Sequence, residues 1–512
     1  MNPTGNEEIE KLIDNLKLGK ASGPEGINSS FVKHGKKALS EILTKLFNEC
    51  ISKGFFPDCL KRALVVPIHK KDKKDIPNNY RPISLLPCIS KLFEKVIYKR
   101  IADFCKAQNI ITEKQFGFRT KHSTKNALTH LTDTLAEKMD NSESCIVVFL
   151  DLAKAFETVD HKILLQKLYH YGIRGIAHEL IKSYLSGRKQ CVKCGNHFSV
   201  YMNVECGVPQ GSILGPLLFL LYVNDLPSVI DLSGILFADD TCVLSSSKSL
   251  KTVIENTNEK LMLLNDWFLS NKLTVNYTKT NYMFFSGTRG CVFNGIIRMG
   301  NSILTRVSST KYLGLMIDDQ LNWKAHVAYL RTKVSSCSNI MYKLRHLVPL
   351  ESCLSVYYSL FYSKISYGIM CWGHARHEVL NQIRVMQNKI VKTMLFQPID
   401  SRIRPLFASL NLLNVNDIFK VEVAKHVHKF ICNTLPDVFK EQYNLISATR
   451  TIRTRAAGRS NIVVNRTNKF IGKQTSTVLG ASIWNEIPDN IRTLSFINFK
   501  DFLKRYLLQN YS

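Results

Sequence analysis

Apolar positions along the chain fall into helical, alternating and continuous patterns, and their order predicts an α+β fold. Ile9, Leu12, Ile13 and Leu16 mark one face of a helix over 7–18, and more helices are expected between Ser29 and Gly54. Val65-Val66-Pro67-Ile68 reads as a strand running into the basic turn His69-Lys70-Lys71, with a second apolar strand around Tyr80 to Leu86. The continuous run Cys145 to Leu150 reads as a buried strand ending on Asp151. Phe156, Val159, Ile163, Leu164 and Leu168 then share a helical face, predicting a helix over 154–171 that stops at Gly172. A hairpin at about 189–204 closes on Gly195-Asn196. A helix over 212–225, a hairpin from Ile235 to Leu244, a long helix from Leu250 to Leu269 and a strand from Tyr282 to Ser286 follow. Together these predict a sheet with helices on one face. Helical spacing returns at Leu321 to His346 (Trp323, Val327, Leu330, Val334, Cys337, Met341, Leu344), then at about 352–370 and 378–396. Beyond Pro398 the pattern weakens, although Trp484, Phe496, Phe499, Phe502 and Leu503 leave the tail apolar enough to pack back on the body.

Charge changes this picture more than composition does. At 512 residues there is room for about three domains and a large core. The apolar share of 45% is ordinary, but 69 basic residues stand against 41 acidic ones, a formal +28. Such an excess points to a polyanion, nucleic acid first and anionic membrane second. No apolar run approaches the roughly 18 residues of a membrane span, and Met1 to Glu10 lacks the apolar stretch of a signal peptide. A protein of the nucleus and cytoplasm is the expectation. Fourteen cysteines do not imply a disulfide framework in a chain this long. Cys191 and Cys194 form a C-x-x-C without a second pair at zinc spacing, so both read as strand residues. From Arg450 to Lys473 there are seven Lys/Arg and no acidic residue, which reads as a nucleic-acid-binding arm or a solvated loop.

The candidate chemistry lies in three stretches. Asp239-Asp240, between the apolar runs Ile235-Leu236-Phe237 and Cys242-Val243-Leu244, is expected at a hairpin tip. Adjacent carboxylates repel and suit a cation between them, with Mg²⁺ favoured by its hard oxygen ligands; the plain alternative is turn chemistry. The strand ending on Asp151 could bring a third acid, and Asp151 with Asp239 could then chelate two ions about 4 Å apart, as in phosphoryl-transferring polymerases. Between them lies Gly207-Val208-Pro209-Gln210-Gly211, a loop leading into a helix, where backbone can approach a flat ligand.

Phe149-Leu150-Asp151, Gly207-Val208-Pro209-Gln210-Gly211 and Phe237-Ala238-Asp239-Asp240 resemble, in order and spacing, the signature blocks of reverse transcriptases. Their wording is closest to jockey-like non-LTR retrotransposons (long interspersed elements), over about Lys20 to Asp318 and more weakly beyond. The resemblance implies a right-hand polymerase. A fingers region with an N-terminal extension would occupy 1–144, a ferredoxin-like palm 145–318, a helical thumb 319–398 and a basic C-terminal region 399–512. The reverse transcriptase domain proper would span about 48–317.

The same resemblance implies site roles. Asp151, Asp239 and Asp240 would be catalytic and would hold two Mg²⁺ (or Mn²⁺) ions with the Leu152 carbonyl. Lys70 and Arg81 match residues that grip the incoming triphosphate, although Lys71 and Lys73 compete with Lys70. Gln210 would meet the template–nucleotide pair. Phe156 would lie beneath the ribose and exclude a 2′-hydroxyl, or it is a core residue with Val159 and Ile163. Arg119, in Phe116-Gly117-Phe118-Arg119, with Gly211, Lys279, Tyr312 and Gly314, would touch template or primer. Lys279 is equally readable as a surface lysine that protonates pyrophosphate or serves no chemistry. Two positions depart from the family pattern: Glu25 and Glu157 stand where Asp is usual. Partners would be an RNA template, a DNA primer and deoxynucleoside triphosphates, with no membrane; the oligomeric state stays open. No endonuclease block and no C-terminal zinc knuckle are visible, so the chain resembles the downstream part of a longer element. The rival functional class is an inactive or domesticated RNA-binding derivative; a group II intron-type or telomerase-type polymerase is the enzymatic rival.

Overall fold

The computed structural model describes residues 1–70, 72–230, 233–288, 290–446 and 461–511. They group into two compact units interleaved along the chain. One comprises Met1–Phe118, Asp151–Leu232 and Met262–Asn276; the other Arg119–Leu150, Ser233–Leu261 and Tyr277–Ser512.

The first unit is built on a small sheet. Strands Arg62–His69 and Tyr80–Leu85 pair antiparallel from Leu64↔Leu85 to His69↔Tyr80. The hairpin strand Lys189–Cys194 lies parallel to the first of these, Arg62 opposite Lys189. The sequence pattern found this hairpin and its Gly195-Asn196 turn, with Cys194 opposite His197. It grouped the hairpin with the strand at 145–150, however, and the pairing is instead with residues 62–65, over a hundred positions upstream. Local periodicity reads a strand's existence, not its remote partner. The Cys191 and Cys194 thiols are free, one buried and one exposed, as strand residues three apart should be. Helices Lys36–Lys53, Cys88–Ala107 and Ile176–Leu185 supply the core, where Phe93 stacks on Phe47 at 4.6 Å and on Phe56 at 5.1 Å. The Arg100 guanidinium bonds both Glu8 carboxylate oxygens at 2.7 Å, and this pair holds the Glu8 carboxyl down at about 2.

The second unit contains a five-stranded sheet in the order Thr305–Arg306, Asn281–Phe285, Ser144–Leu150, Asp240–Ser247, Ile235–Phe237. Ser144–Leu150 is antiparallel to both neighbours and buried at every position, which accounts for its unbroken apolar run. Helix Thr124–Asp140 packs against it. Helices Lys324–Leu344 and His377–Met394 form where helical spacing predicted them, and they pack side by side. The span at about 352–370 is broken: helix Leu350–Tyr357 passes through a π-helical turn at Tyr358–Tyr362. The Asp318 carboxylate accepts the N–H groups of Asn322 (2.9 Å) and Trp323 (2.8 Å), fixing the entry to helix Lys324–Leu344.

The weak C-terminal pattern resolves into helices. Val415–Ile431 carries Ser476–Glu486 and Phe496–Gln509 against it, burying Trp484, Phe499 and Leu503. Of the basic stretch 450–473, residues 450–460 lie outside the described residues. In the remainder, Lys469 donates to Met139 O (3.0 Å), Ser142 Oγ (2.7 Å) and Gly287 O (2.5 Å), so its ammonium is spent on the protein itself. Among the described residues no helix is long and apolar enough to cross a membrane.

Candidate active site

In the second unit, Phe237 pairs with Asp240 across a two-residue turn, so the tip is Ala238-Asp239 and Asp240 opens the returning strand. The sequence reading had put both aspartates at the tip. Ala238 has φ 56°, at the turn position where glycine is the usual occupant, a conformation costing roughly 1–3 kcal/mol. Asp239 and Asp240 are both exposed. The adjoining ladder ends with Leu150 opposite Thr241; Asp151 is the next residue after the first, and Asp240 the residue before the second.

In the first unit, the half-buried Asp151 gives its carbonyl to Asn276 N–H at 2.8 Å, and Leu152–Ala153 pairs with Thr274–Val275. The predicted helix over 154–171 does not begin there. Lys154 turns to φ 51°, Glu157 N–H and Thr158 N–H return to its carbonyl, and the helix runs only from His161 to His170. Asp160 caps it, accepting from Lys162 N–H (2.9 Å) and Ile163 N–H (3.0 Å). Phe156 therefore sits in a turn, half-buried, stacked on Phe219 at 4.5 Å and edge-on to the exposed Phe118 at 6.4 Å.

The Gly-Val-Pro-Gln-Gly loop is fastened to that turn. Gly207 N–H donates to Val159 O and Val208 N–H to Phe156 O, each at 2.8 Å. Gly207 has φ 83°, and a Cβ there would lie 2.5 Å from Glu157 O, so only glycine permits the approach. Gln210 Nε2 donates to Glu157 Oε1 at 2.9 Å, while Ser84 N–H donates to Gln210 O at 2.8 Å. Gly211, at φ 124°, would put a Cβ 2.6 Å from Ser84 O. Phe156, Gln210 and Gly211 are thus brought together beside the Tyr80–Leu85 strand that carries Arg81. Arg81, exposed, stands opposite Ile68, and exposed Lys70 gives its N–H to Asn79 O at 2.8 Å one residue past the strand end. Alternation puts Lys70 and Arg81 on one face as diagonal neighbours. Lys71 lies outside the described residues.

One supporting residue escaped the sequence. Glu94 is fully buried and accepts the N–H groups of Ile213 (2.6 Å) and Leu214 (3.1 Å), where the loop enters helix Leu214–Tyr222. Burial pushes its carboxyl pKa up, while the buried Arg188 guanidinium and the two backbone donors pull the other way. In an amphipathic helix such a Glu reads as an ordinary surface residue; only the fold reveals the cap.

The remaining candidates lie in the second unit. Arg119 is half-buried, and Lys279 is exposed in a turn after Val275. Tyr312 is buried with its ring 5.1 Å from Phe149, and burial beside the Cys242 thiol drives its hydroxyl pKa well above the usual phenol. The hairpin Ser309–Tyr312 and Leu315–Asp318 turns through Leu313 (φ 43°) and Gly314 (φ 91°), so this turn, and not the Tyr312 ring, is what it offers outward.

Asp151 in the first unit and Asp239 and Asp240 in the second each offer carboxylate oxygens, donors that suit Mg²⁺ in kind. Among the described residues no three His, Cys, Asp or Glu side chains gather closely enough to hold an ion unaided. An ion would also need backbone, water or substrate oxygens, which is how Mg²⁺ commonly binds.

Residues 68–317 match the family of reverse transcriptases (RNA-dependent DNA polymerases). The chain carries a reverse transcriptase domain. It is similar to the probable RNA-directed DNA polymerases of transposon BS and of the X-element of Drosophila melanogaster, each at 31% identity over 83% of this chain. It is also similar, at 29%, to the RNA-directed DNA polymerase of mobile element jockey of Drosophila funebris. The chain spans about half the length of these curated relatives, 47–48% of each. The matched domain contains Asp151, the 207–211 loop and Asp239-Asp240, in the order the family resemblance requires.

Proposed function

We propose that the chain is the RNA-directed DNA polymerase portion of a non-LTR retrotransposon protein, extending a DNA primer on an RNA template with deoxynucleoside triphosphates. The carrying observation is the match of residues 68–317 to the reverse transcriptase family with all three acids intact inside it. In this reading fingers occupy 1–144, palm 145–318, thumb 319–398 and a basic C-terminal region 399–512. The protein would work in nucleus and cytoplasm.

Asp151 and Asp239 would hold two Mg²⁺ ions, with the Leu152 carbonyl and Asp240 assisting; Mn²⁺ could substitute. When bound, the ions would acidify the primer 3′-hydroxyl and neutralise the triphosphate and departing pyrophosphate. Arg81 and Lys70 would hold the triphosphate, Arg81 through its two-pronged fork. Gln210, immobilised by Glu157 and Ser84, would present the loop's face to the template–nucleotide pair, with Gly211 allowing close backbone approach. The Phe156 ring, backed by Phe219, would stand beneath the ribose. Arg119 would touch the template, Lys279 the pyrophosphate or primer end, and the Leu313-Gly314 turn beside Tyr312 the primer. Primer extension on poly-rA/oligo-dT with Mg²⁺ tests the reading: dT incorporation is expected, and none from well-folded protein with either Mg²⁺ or Mn²⁺ would overturn it.

A further inference from the structure

The 189–203 hairpin carries none of the residues assigned above and has a surface of unusual character. Its strand Lys189–Cys194 pairs with Arg62–His69, with His197–Phe198 and with Met202–Asn203. The register sets Arg62 opposite Lys189 and Lys193 opposite Phe198. Residues opposite one another share a face, and Lys189 and Lys193 are an even number of positions apart, so all four stand on the same side. Tyr201 joins them, its ring 5.9 Å beneath the Arg62 guanidinium, and the Lys193 ammonium lies 5.3 Å over the Phe198 ring. Phe198 is 60% exposed and Tyr201 44%. No acidic residue occurs from Ser186 to Val204.

Two exposed rings cost free energy in water unless something covers them, and three cations around them exclude most apolar partners. An unpaired base satisfies both features, stacking on a ring while its phosphates meet the cations. Duplex fits poorly, because its bases are already stacked.

We propose that the face formed by Arg62, Lys189, Lys193, Phe198 and Tyr201 is a stacking platform for single-stranded nucleic acid, two to three nucleotides long. The proposal deepens the polymerase reading by giving that enzyme a binding surface for unpaired strand, such as template not yet copied.

The test uses the full chain and a fluorescein-labelled 20-mer of oligo-rU, followed by anisotropy, beside primer extension on templates with a one-nucleotide overhang. Phe198→Ala/Tyr201→Ala should weaken oligo-rU binding at least tenfold, since each stacked base contributes about fivefold or more. Lys189→Gln/Lys193→Gln should reduce the slope of log affinity against log salt by about 1.4, two phosphate contacts on a single strand. Both variants should keep one-nucleotide extension within twofold. Phe198→Leu/Tyr201→Leu, which keeps apolar bulk but no flat face, should lose binding as the alanine pair does, even if the alanine pair folds poorly. Unchanged oligo-rU affinity in the leucine pair would overturn the platform. So would a loss of self-association in the same variants, which would make the face a contact between copies. Wild-type protein that binds oligo-rU through these rings yet extends no primer would instead sink the polymerase reading and leave the platform standing.

Discussion

Two sets of carboxylates in this protein share chemistry and differ in everything else. Asp239 stands exposed in a strained two-residue turn, Asp240 is exposed at the start of the returning strand, and Asp151 is half-buried at a strand end. Glu94, Asp133 and Asp140 are enclosed and given over to the chain's own N–H groups. Glu94 holds Ile213 and Leu214; Asp140 holds Asn468 (2.9 Å) and Lys469 (2.6 Å); Asp133 holds Ser476 N–H at 2.8 Å and, more closely, the Ser476 hydroxyl. A carboxylate enclosed by the fold and bonded to the chain's own donors holds those segments in place. Adjacent exposed carboxylates such as Asp239 and Asp240 repel each other and gain from a cation beside them. On the proposed reading the contrast separates acids that would react from acids that fasten, and substitutions should separate them too.

The sharpest break is Asp239→Asn. Primer extension should fall by three orders of magnitude or more, roughly 4 kcal/mol of barrier, while the thermal midpoint stays within about 2 °C. An Asn variant with a tenth of wild-type kcat would remove Asp239 from the catalytic set.

Glu94→Ala should reverse that pattern. It leaves two helix-entry N–H groups and the buried Arg188 without their acid, and the cost should be about 3–5 kcal/mol of stability in a urea titration. Glu94→Gln, which keeps one acceptor oxygen for the same donors, should recover at least half of the loss. Equal losses in the Ala and Gln variants would show that charge, not the cap, is what the site requires.

Asp133 sharpens the comparison through pH. Its carboxyl is enclosed near Ser476 and Gln442, and burial raises its pKa to about 7 against the hydrogen bonds from Ser476. The unfolded chain releases this proton near pH 4, the folded one near 7. The stability linked to this group is therefore full below about pH 4 and is lost as pH rises to 7, by about 2–4 kcal/mol. Asp133→Asn cannot titrate, so the difference in stability between wild type and variant should shift by that amount from pH 4 to pH 7. A difference that stays constant with pH would show that Asp133 is ionised throughout.

The two sets also differ in how legible they are in the amino-acid pattern. Asp151 and Asp239-Asp240 follow or interrupt apolar runs, and the runs at 145–150, 250–269 and 324–344 are found within a few residues of their predicted ends. Burial on a regular element leaves a period. The turn at 154–160 shows the limit: Phe156, Val159 and Ile163 have helical spacing, but Val159 gives its carbonyl to the Gly207 N–H, while Lys154 and Asp160 break the backbone. Spacing reports which side chains are covered, not the dihedral angles between them. The fastening acids were invisible because each reaches a segment remote in sequence: Glu94 to 213–214, Asp133 to 476 and Asp140 to 468–469. A single polar letter in a helix carries no trace of such a partner.

Glu157 stands between the two sets, and it gives the smallest and finest test. It is half-buried, holds Gln210 Nε2 at 2.9 Å, and lies beside Phe156 in the turn that receives the loop. It does not belong to the proposed metal set, so Glu157→Gln should leave kcat within about threefold. The substitution keeps an acceptor oxygen for Gln210 but exchanges a charge-assisted hydrogen bond for a neutral one, a loss of roughly 0.5–1.5 kcal/mol. If Gln210 is held in place to meet the template–nucleotide pair, that loss should reach the nucleotide as a KM raised about two- to tenfold, with little change in thermal midpoint. Glu157→Asp shortens the side chain by one methylene, and its effect reads whether length or charge sets the position of Gln210. An unaltered KM in both variants would mean that backbone bonds from Gly207, Val208 and Ser84 fix the loop without this side chain. A fall in kcat as large as that of Asp239→Asn would move Glu157 from the fastening acids to the reacting ones.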